Sequence, residues 1–193
     1  MKFWILTFII LILLKNLNCQ EEKKYKDFNL INTFKIPYPA FTQGFIYNKT
    51  TKLITESTGL VGQSLIRTYA LNEFSNKANI STTKFTNPTN QFGEGLAYLN
   101  GFYYQLTWMN NIINILDDNF KLVKTQKLPH QMRKTGWGLS TDGEYLYANS
   151  GTDEIFKINP SNLEVVKILK AKGADGRPLR YLNECEIVGP HMY

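Results

Sequence analysis

Cysteine and histidine are scarce in this chain. Its 193 residues include two cysteines and two histidines. Cys19 falls within the leader described below, which leaves Cys185 alone, and one thiol cannot close an internal disulfide. A disulfide scaffold is therefore excluded. His130 and His191 stand apart in the sequence, whereas zinc ligation needs three or four donors. No metal site is expected and no cofactor is implied. A dense block of lysine or arginine is also missing. The net charge is +6, and Lys2 and Lys15 of the leader contribute to it. The remainder is spread along the chain and leaves no electrostatic footprint for nucleic acid. Long apolar runs are missing as well. The apolar stretch from Phe3 to Leu14 covers 12 residues, short of the about 20 needed to cross a bilayer.

That stretch follows a basic start, Met1-Lys2, and polar residues follow it at once. The pattern predicts a secretory signal peptide over residues 1–19, cut near Cys19 or Gln20. The mature protein is then expected to be secreted or held in the endomembrane lumen, with no membrane attachment. Asn48-Lys49-Thr50 and Asn79-Ile80-Ser81 are acceptor sequons that suit such a chain, making Asn48 and Asn79 candidate glycosylation sites on exposed turns. Residues 20–27 are charged and polar and read as a disordered segment.

From Phe28 onward, helical periodicity is absent and Tyr, Phe, Ile and Thr are abundant, which favours short strands. The informative feature is an internal repeat. Phe41-Thr42-Gln43-Gly44-Phe45, Phe92-Gly93-Glu94-Gly95-Leu96, Thr135-Gly136-Trp137-Gly138-Leu139 and Tyr181-Leu182-Asn183-Glu184-Cys185 open four successive units. Gly44 to Gly95 is 51 residues, Gly95 to Gly138 is 43, and Gly138 to its counterpart Glu184 is 46. A period of roughly 40–50 residues with about four strands per unit is the signature of propeller blades. Turns are expected at residues 47–50, 141–144 and 159–162, and later strands over 64–71, 112–116 and 154–158. A β-sandwich is the alternative. Its strands have no reason to carry a polar or aromatic residue before a glycine in every unit.

The fold class is thus all-β, a partial propeller over residues 28–193. Three full units and the start of a fourth are visible, whereas propellers have about 4–8 blades. An open propeller would leave a long strand edge unpaired, so the chain is expected to be truncated at its C-terminus.

In a propeller the innermost strand of each blade lines the central channel. The residues leading each repeat should converge near one mouth: Phe41, Gln43, Phe92, Glu94, Trp137 and Asn183, joined by Trp108. A carboxylate among aromatic rings and amides is desolvated, which raises its pKa and suits it to proton transfer near neutral pH. Such a site fits a small, partly apolar substrate carrying an amine and an amide. The glycines could equally serve close backbone approach alone, and the aromatics inter-blade packing alone.

Six ordered motifs carry a resemblance: Ala40-Phe41-Thr42-Gln43-Gly44, Thr55-Glu56-Ser57-Thr58-Gly59-Leu60, Phe92-Gly93-Glu94-Gly95-Leu96, Gln105-Leu106-Thr107-Trp108, Gly136-Trp137-Gly138-Leu139 and Leu182-Asn183-Glu184. In this order and spacing the chain resembles the plant and bacterial type of glutaminyl-peptide cyclotransferase. The resemblance implies a five-bladed propeller, of which about three and a half blades are present. It implies attack of a substrate's α-amine on its own γ-carboxamide, with loss of ammonia, and peptides or proteins with N-terminal Gln as partners of a monomer. Glu94 would be catalytic. Phe41, Gln43, Phe92, Trp108, Trp137 and Asn183 would bind substrate, with Gln43, Asn183 or a tryptophan N–H as oxyanion donors. The chain departs from the family pattern at Met109, Thr135 and Cys185. It also lacks the fifth blade, which supplies a further pocket tryptophan and a lysine and pairs with the strand expected around Phe28–Ile36. An inactive, truncated secreted propeller that binds peptides or proteins is the alternative function.

Overall fold

The computed structural model describes residues 32–34, 36, 40–72, 77–78 and 81–193. The leader over 1–19, the segment 20–27 and the Asn79 sequon lie outside the described residues. So does most of the strand expected around Phe28–Ile36, and residues 32–34 and 36 belong to no strand.

Fifteen strands are present among the described residues, with one 3-10 turn at His130–Met132 as the helical element. The first sheet contains β1 (Thr42–Asn48), β2 (Leu53–Thr58), β3 (Leu65–Asn72) and β5 (Thr82–Thr86) in antiparallel order, with the two-residue β4 (Lys77–Ala78) beside β3. The second runs β6 (Gly93–Leu99), β7 (Phe102–Thr107), β8 (Ile112–Asp117) and β9 (Leu122–Lys127). The third runs β10 (Leu139–Thr141), β11 (Leu146–Asn149), β12 (Glu154–Ile158) and β13 (Val165–Lys170). A hairpin of β14 (Ile187–Val188) and β15 (His191–Met192) follows. The all-β, repeating architecture expected from the 43–51-residue period is what forms.

Local sequence explains the connections. Between β1 and β2, Asn48 Oδ1 accepts the amides of Thr50 and Thr51 at 2.9 and 3.0 Å. Between β10 and β11, Asp142 Oδ1 accepts those of Glu144 and Tyr145 at 2.9 and 2.7 Å. Such side chains replace backbone acceptors in a turn.

Within each sheet, the last strand, β5, β9 or β13, is the most exposed. β6 is buried at every position but Tyr98, while β9 is exposed at all but Gln126. The outer strands carry Lys84, Lys124, Lys127, Lys167 and Lys170; charged outer edges resist pairing with another chain. Between sheets, Leu106, Ile113, Leu139, Leu146 and Phe156 form one apolar core. Ile66, Leu96 and Leu116 form another, with Ile46 and Phe85 against it.

One buried feature of the first sheet is ionic. Arg67 on β3 bonds Glu56 on β2, Nε to Oε2, at 2.6 Å, and the two side chains are 7% and 0% exposed. Thr42 Oγ1 donates to the other oxygen of Glu56, so the pair also fixes the start of β1 immediately before Gln43. Removing one member of a buried pair strands the other charge. Arg67→Ala is therefore expected to lower unfolding free energy by about 3 kcal/mol in urea titrations. A loss below about 1 kcal/mol, typical of exposed pairs, would contradict this account.

Candidate active site

Glu94 sits at a break in its own strand. The β6–β7 register shifts between Gly93 and Leu96: Gly93 pairs with Thr107 and Leu96 with Gln105. Glu94 and Gly95 thus face Leu106 alone, which is a β-bulge, a device that re-aims a side chain. The side chain ends in a buried setting, with Glu94 only 4% exposed. Gln43 Nε2 donates to its Oε1 at 3.4 Å. Its Oε2 is buried and has no hydrogen-bond partner among the described residues. Burial disfavours the ionised form, and the Glu94 carboxyl is pushed up to about 8. A second acid is close. Burial, then the charges of Glu186 and Glu94, hold the Glu184 carboxyl well above the usual range, although the residue as a whole keeps exposed surface.

The aromatic residues form a chain at the leading ends of β1 and β6, the strands that carry Gln43 and Glu94. Phe41 meets Phe92 edge-on with centroids 5.9 Å apart, and Phe92 meets Trp108 in the same manner at 5.5 Å. Phe41 and Trp108 are exposed and make an open rim. Gly59 permits this packing. A Cβ there would lie 2.4 Å from the Phe92 ring and 3.0 Å from that of Phe41. The turn carrying Trp108 is pinned by Asn110, whose Oδ1 accepts the Phe92 amide at 3.3 Å and whose Nδ2 donates to the Asn90 carbonyl at 2.8 Å.

Trp137 joins through its backbone. Its carbonyl accepts the Gly95 amide at 2.8 Å, one residue from Glu94. Its ring lies over Gly151, where a Cβ would stand 3.0 Å away. Its Nε1 donates to Thr135 Oγ1 at 3.1 Å. The sequence reading offered a tryptophan N–H as an oxyanion donor; that of Trp137 is already engaged within the chain. Asn183 is exposed, and its carbonyl accepts Asn149 Nδ2 at 2.6 Å beside Gly138.

The expected residues therefore fall into two linked rows. Gln43, Glu94, Trp137 and Asn183 follow one another through a side-chain bond and two close backbone approaches. Phe41, Phe92 and Trp108 form the second row, and the amide of Gly136 donating to Thr107 at 3.2 Å brings the two tryptophan segments together. One detail differs from expectation. Phe92, Trp137 and Asn183 lie just outside regular strands; the Phe92 carbonyl accepts the Trp108 amide and the Trp137 amide donates to the Asn149 carbonyl, each at 3.0 Å within its own unit, while the Trp137 carbonyl crosses to Gly95.

Sequence reasoning assigned no role to a buried polar group behind the acid: Ser57, Asn87, Gln91, Gln105 and Asn114. A signal was available. Gln105 interrupts the apolar and aromatic run Phe102–Leu106 of a central strand, where an unpaired amide would be costly.

The family model for glutamine cyclotransferases matches residues 4–193. The chain belongs to this family. Among curated relatives, it is 36% identical over 154 residues to the glutaminyl-peptide cyclotransferase of Arabidopsis thaliana, covering 80% of this chain and 45% of that protein. Among solved structures, the Myxococcus xanthus glutaminyl cyclase superposes with a TM-score of 0.64 at 24% identity, over 80% of this chain and 60% of that one. That likeness shows the fold, which is propeller-like. The cyclotransferase-family chain thus spans about half the length of these relatives. Among its described residues, no helix is long and apolar enough to cross a membrane.

Proposed function

We propose that this chain converts the N-terminal glutamine of peptides and proteins to pyroglutamate with release of ammonia. The observation that carries the reading is the Glu94 carboxyl, which is buried, bonded on one oxygen to an amide and left without a partner on the other. In the reaction the substrate's α-amine nitrogen attacks its own γ-carbonyl carbon. A C–N bond forms and the bond to the side-chain nitrogen breaks. Glu94 accepts the proton that the attacking amine must lose, then delivers it to the departing nitrogen, which leaves as ammonia. Ring closure is intramolecular, so holding the substrate folded supplies much of the rate. Phe41, Phe92 and Trp108 would pack on its aliphatic chain, and Trp137 would wall the inner side. Gln43 and Asn183 carry amide N–H groups suited to the carbonyl oxygen as it gains charge. The leader over residues 1–19, removed on export, and the Asn48 turn are compatible with a secreted, glycosylated monomer.

The test is incubation of the purified secreted form with a Gln-initiated peptide, following ammonia and the pyroglutamyl product across pH. A general base must be ionised, and Glu94 is largely protonated below about 8. The kcat is therefore expected to climb through that pH and level off above it. The kcat/KM profile should add the substrate amine, which must be neutral and titrates near about 7.7–8.0. A kcat already flat from pH 6 upward would exclude Glu94 as the base. Binding of the peptide without ammonia release would instead favour a propeller that only recognises peptide termini.

A further inference from the structure

The peptide unit joining Glu94 to Gly95 is held by sheets other than its own. Because the bulge removes it from the β6–β7 ladder, its carbonyl and amide need partners elsewhere. The Gly95 amide donates to the Trp137 carbonyl of the third sheet at 2.8 Å. The Glu94 carbonyl accepts Ser57 Oγ of the first sheet at 2.7 Å. Ser57 has one hydroxyl proton and this bond uses it, so any other partner of Ser57 Oγ must donate to it.

That donor is Gln105, whose Nε2 lies 2.8 Å from Ser57 Oγ. The orientation of the Gln105 amide is itself determined. Its Oε1 accepts Asn87 Nδ2 at 2.8 Å and Asn114 Nδ2 at 3.2 Å. Its remaining N–H reaches Asn87 Oδ1 at 3.3 Å. Both asparagines also donate to Gln91 Oε1, at 3.0 and 2.8 Å. Ser57, Gln105 and Asn114 are fully buried and the other two nearly so. Each side-chain N–H of Asn87, Gln105 and Asn114 has its own acceptor, so reversing the Gln105 amide would set N–H against N–H at two asparagines. In a buried network that is expensive. The polarity ends on the Glu94 carbonyl.

We propose that Ser57 and Gln105 are positioning residues which fix the backbone of the bulge, and through it the direction of the Glu94 carboxyl. The inference rests on the cyclotransferase reading for its kinetic consequence but not for its geometry. Ser57→Ala removes the bond to the Glu94 carbonyl and leaves the carboxyl itself unaltered. Its kcat is expected to fall roughly 10²-fold, the penalty associated with about 1 Å of misplacement, with KM within about threefold. The Glu94 carboxyl, followed by carbon-detected NMR on labelled protein, is expected to titrate lower as the loosened bulge lets it reach water. Ser57→Thr, which keeps the hydroxyl, is expected to restore both. Ser57→Cys, close in size and a weak donor, replaces the alanine variant if that one does not fold.

A folded Ser57 variant with wild-type kcat and an unmoved Glu94 titration would overturn the proposal. So would a loss of melting temperature with both of those unchanged, because that is what a purely structural serine would give. If neither wild type nor variant releases ammonia yet the Glu94 titration moves, the positioning role stands and the enzymatic reading falls.

Discussion

Glu94→Gln is expected to lower ammonia release from a Gln-initiated peptide by roughly 10²–10⁴-fold, the range for loss of a positioned acid–base group. Peptide binding should survive, because the glutamine amide has the same shape and can still meet Gln43. The same substitution is expected to change stability with a definite sign. Burial pushes the Glu94 carboxyl up to about 8 in the fold, against 4.5 for a solvated glutamate. Between these values the native state holds the proton and the unfolded chain does not, so wild-type stability falls as pH rises through this window. The stability attached to the protonated group is fully present below about 4.5 and lost once pH passes about 8. Glutamine carries no charge at either extreme. The variant should therefore melt higher than wild type at pH 9 and close to it at pH 4. Equal melting differences at both pH values would mean that Glu94 is solvated in the folded protein. Loss of activity combined with gain of alkaline stability is the pattern expected of a functional group kept at some cost to the fold.

This pairing also shows what could be read in the chain before its fold was known. The period between Gly44, Gly95 and Gly138 identified the sheets because each glycine has a spatial task. A Cβ on Gly44 would stand 2.5 Å from the Leu96 amide, and one on Gly95 equally close to the Leu139 amide. A repeated steric need leaves a repeated letter. Glu94 was legible for a related reason, since an acid between two glycines of a strand is out of place unless its surroundings use it. The buried amides were not legible. Gln105 and Asn114 take their meaning from partners 9 to 48 residues distant, and hydrogen-bond partnerships at such separations have no period. The same holds for Trp137. Its carbonyl meets the Gly95 amide next to the acid, but the commitment of its indole to Thr135 depends on a side-chain rotation that no pattern in sequence records.

Gly138→Ala is the second large expectation, and it concerns assembly. At this position the added Cβ would lie 2.0 Å from the Asn183 carbonyl oxygen and 2.6 Å from Asn149 Nδ2. The first is backbone and cannot rotate aside. Relief requires the segment that carries Asn183 to move off the third sheet, breaking the Asn149–Asn183 bond of 2.6 Å. The expected cost is more than about 4 kcal/mol, above the ordinary range for an overpacked core because the clash is with main chain. Gly143 provides the comparison. It has φ of +92° in the β10–β11 turn and nothing within 4 Å of an added Cβ. Gly143→Ala carries only the left-handed backbone penalty, about 1–2 kcal/mol. Urea unfolding of the two variants separates space from conformation as the reason for a glycine. If Gly138→Ala unfolds no more easily than Gly143→Ala, the close approach that seats Asn183 beside Trp137 is not rigid. The row from Gln43 through Glu94 to Asn183 would then lose its last member, and the substrate carbonyl would have only Gln43 to meet it.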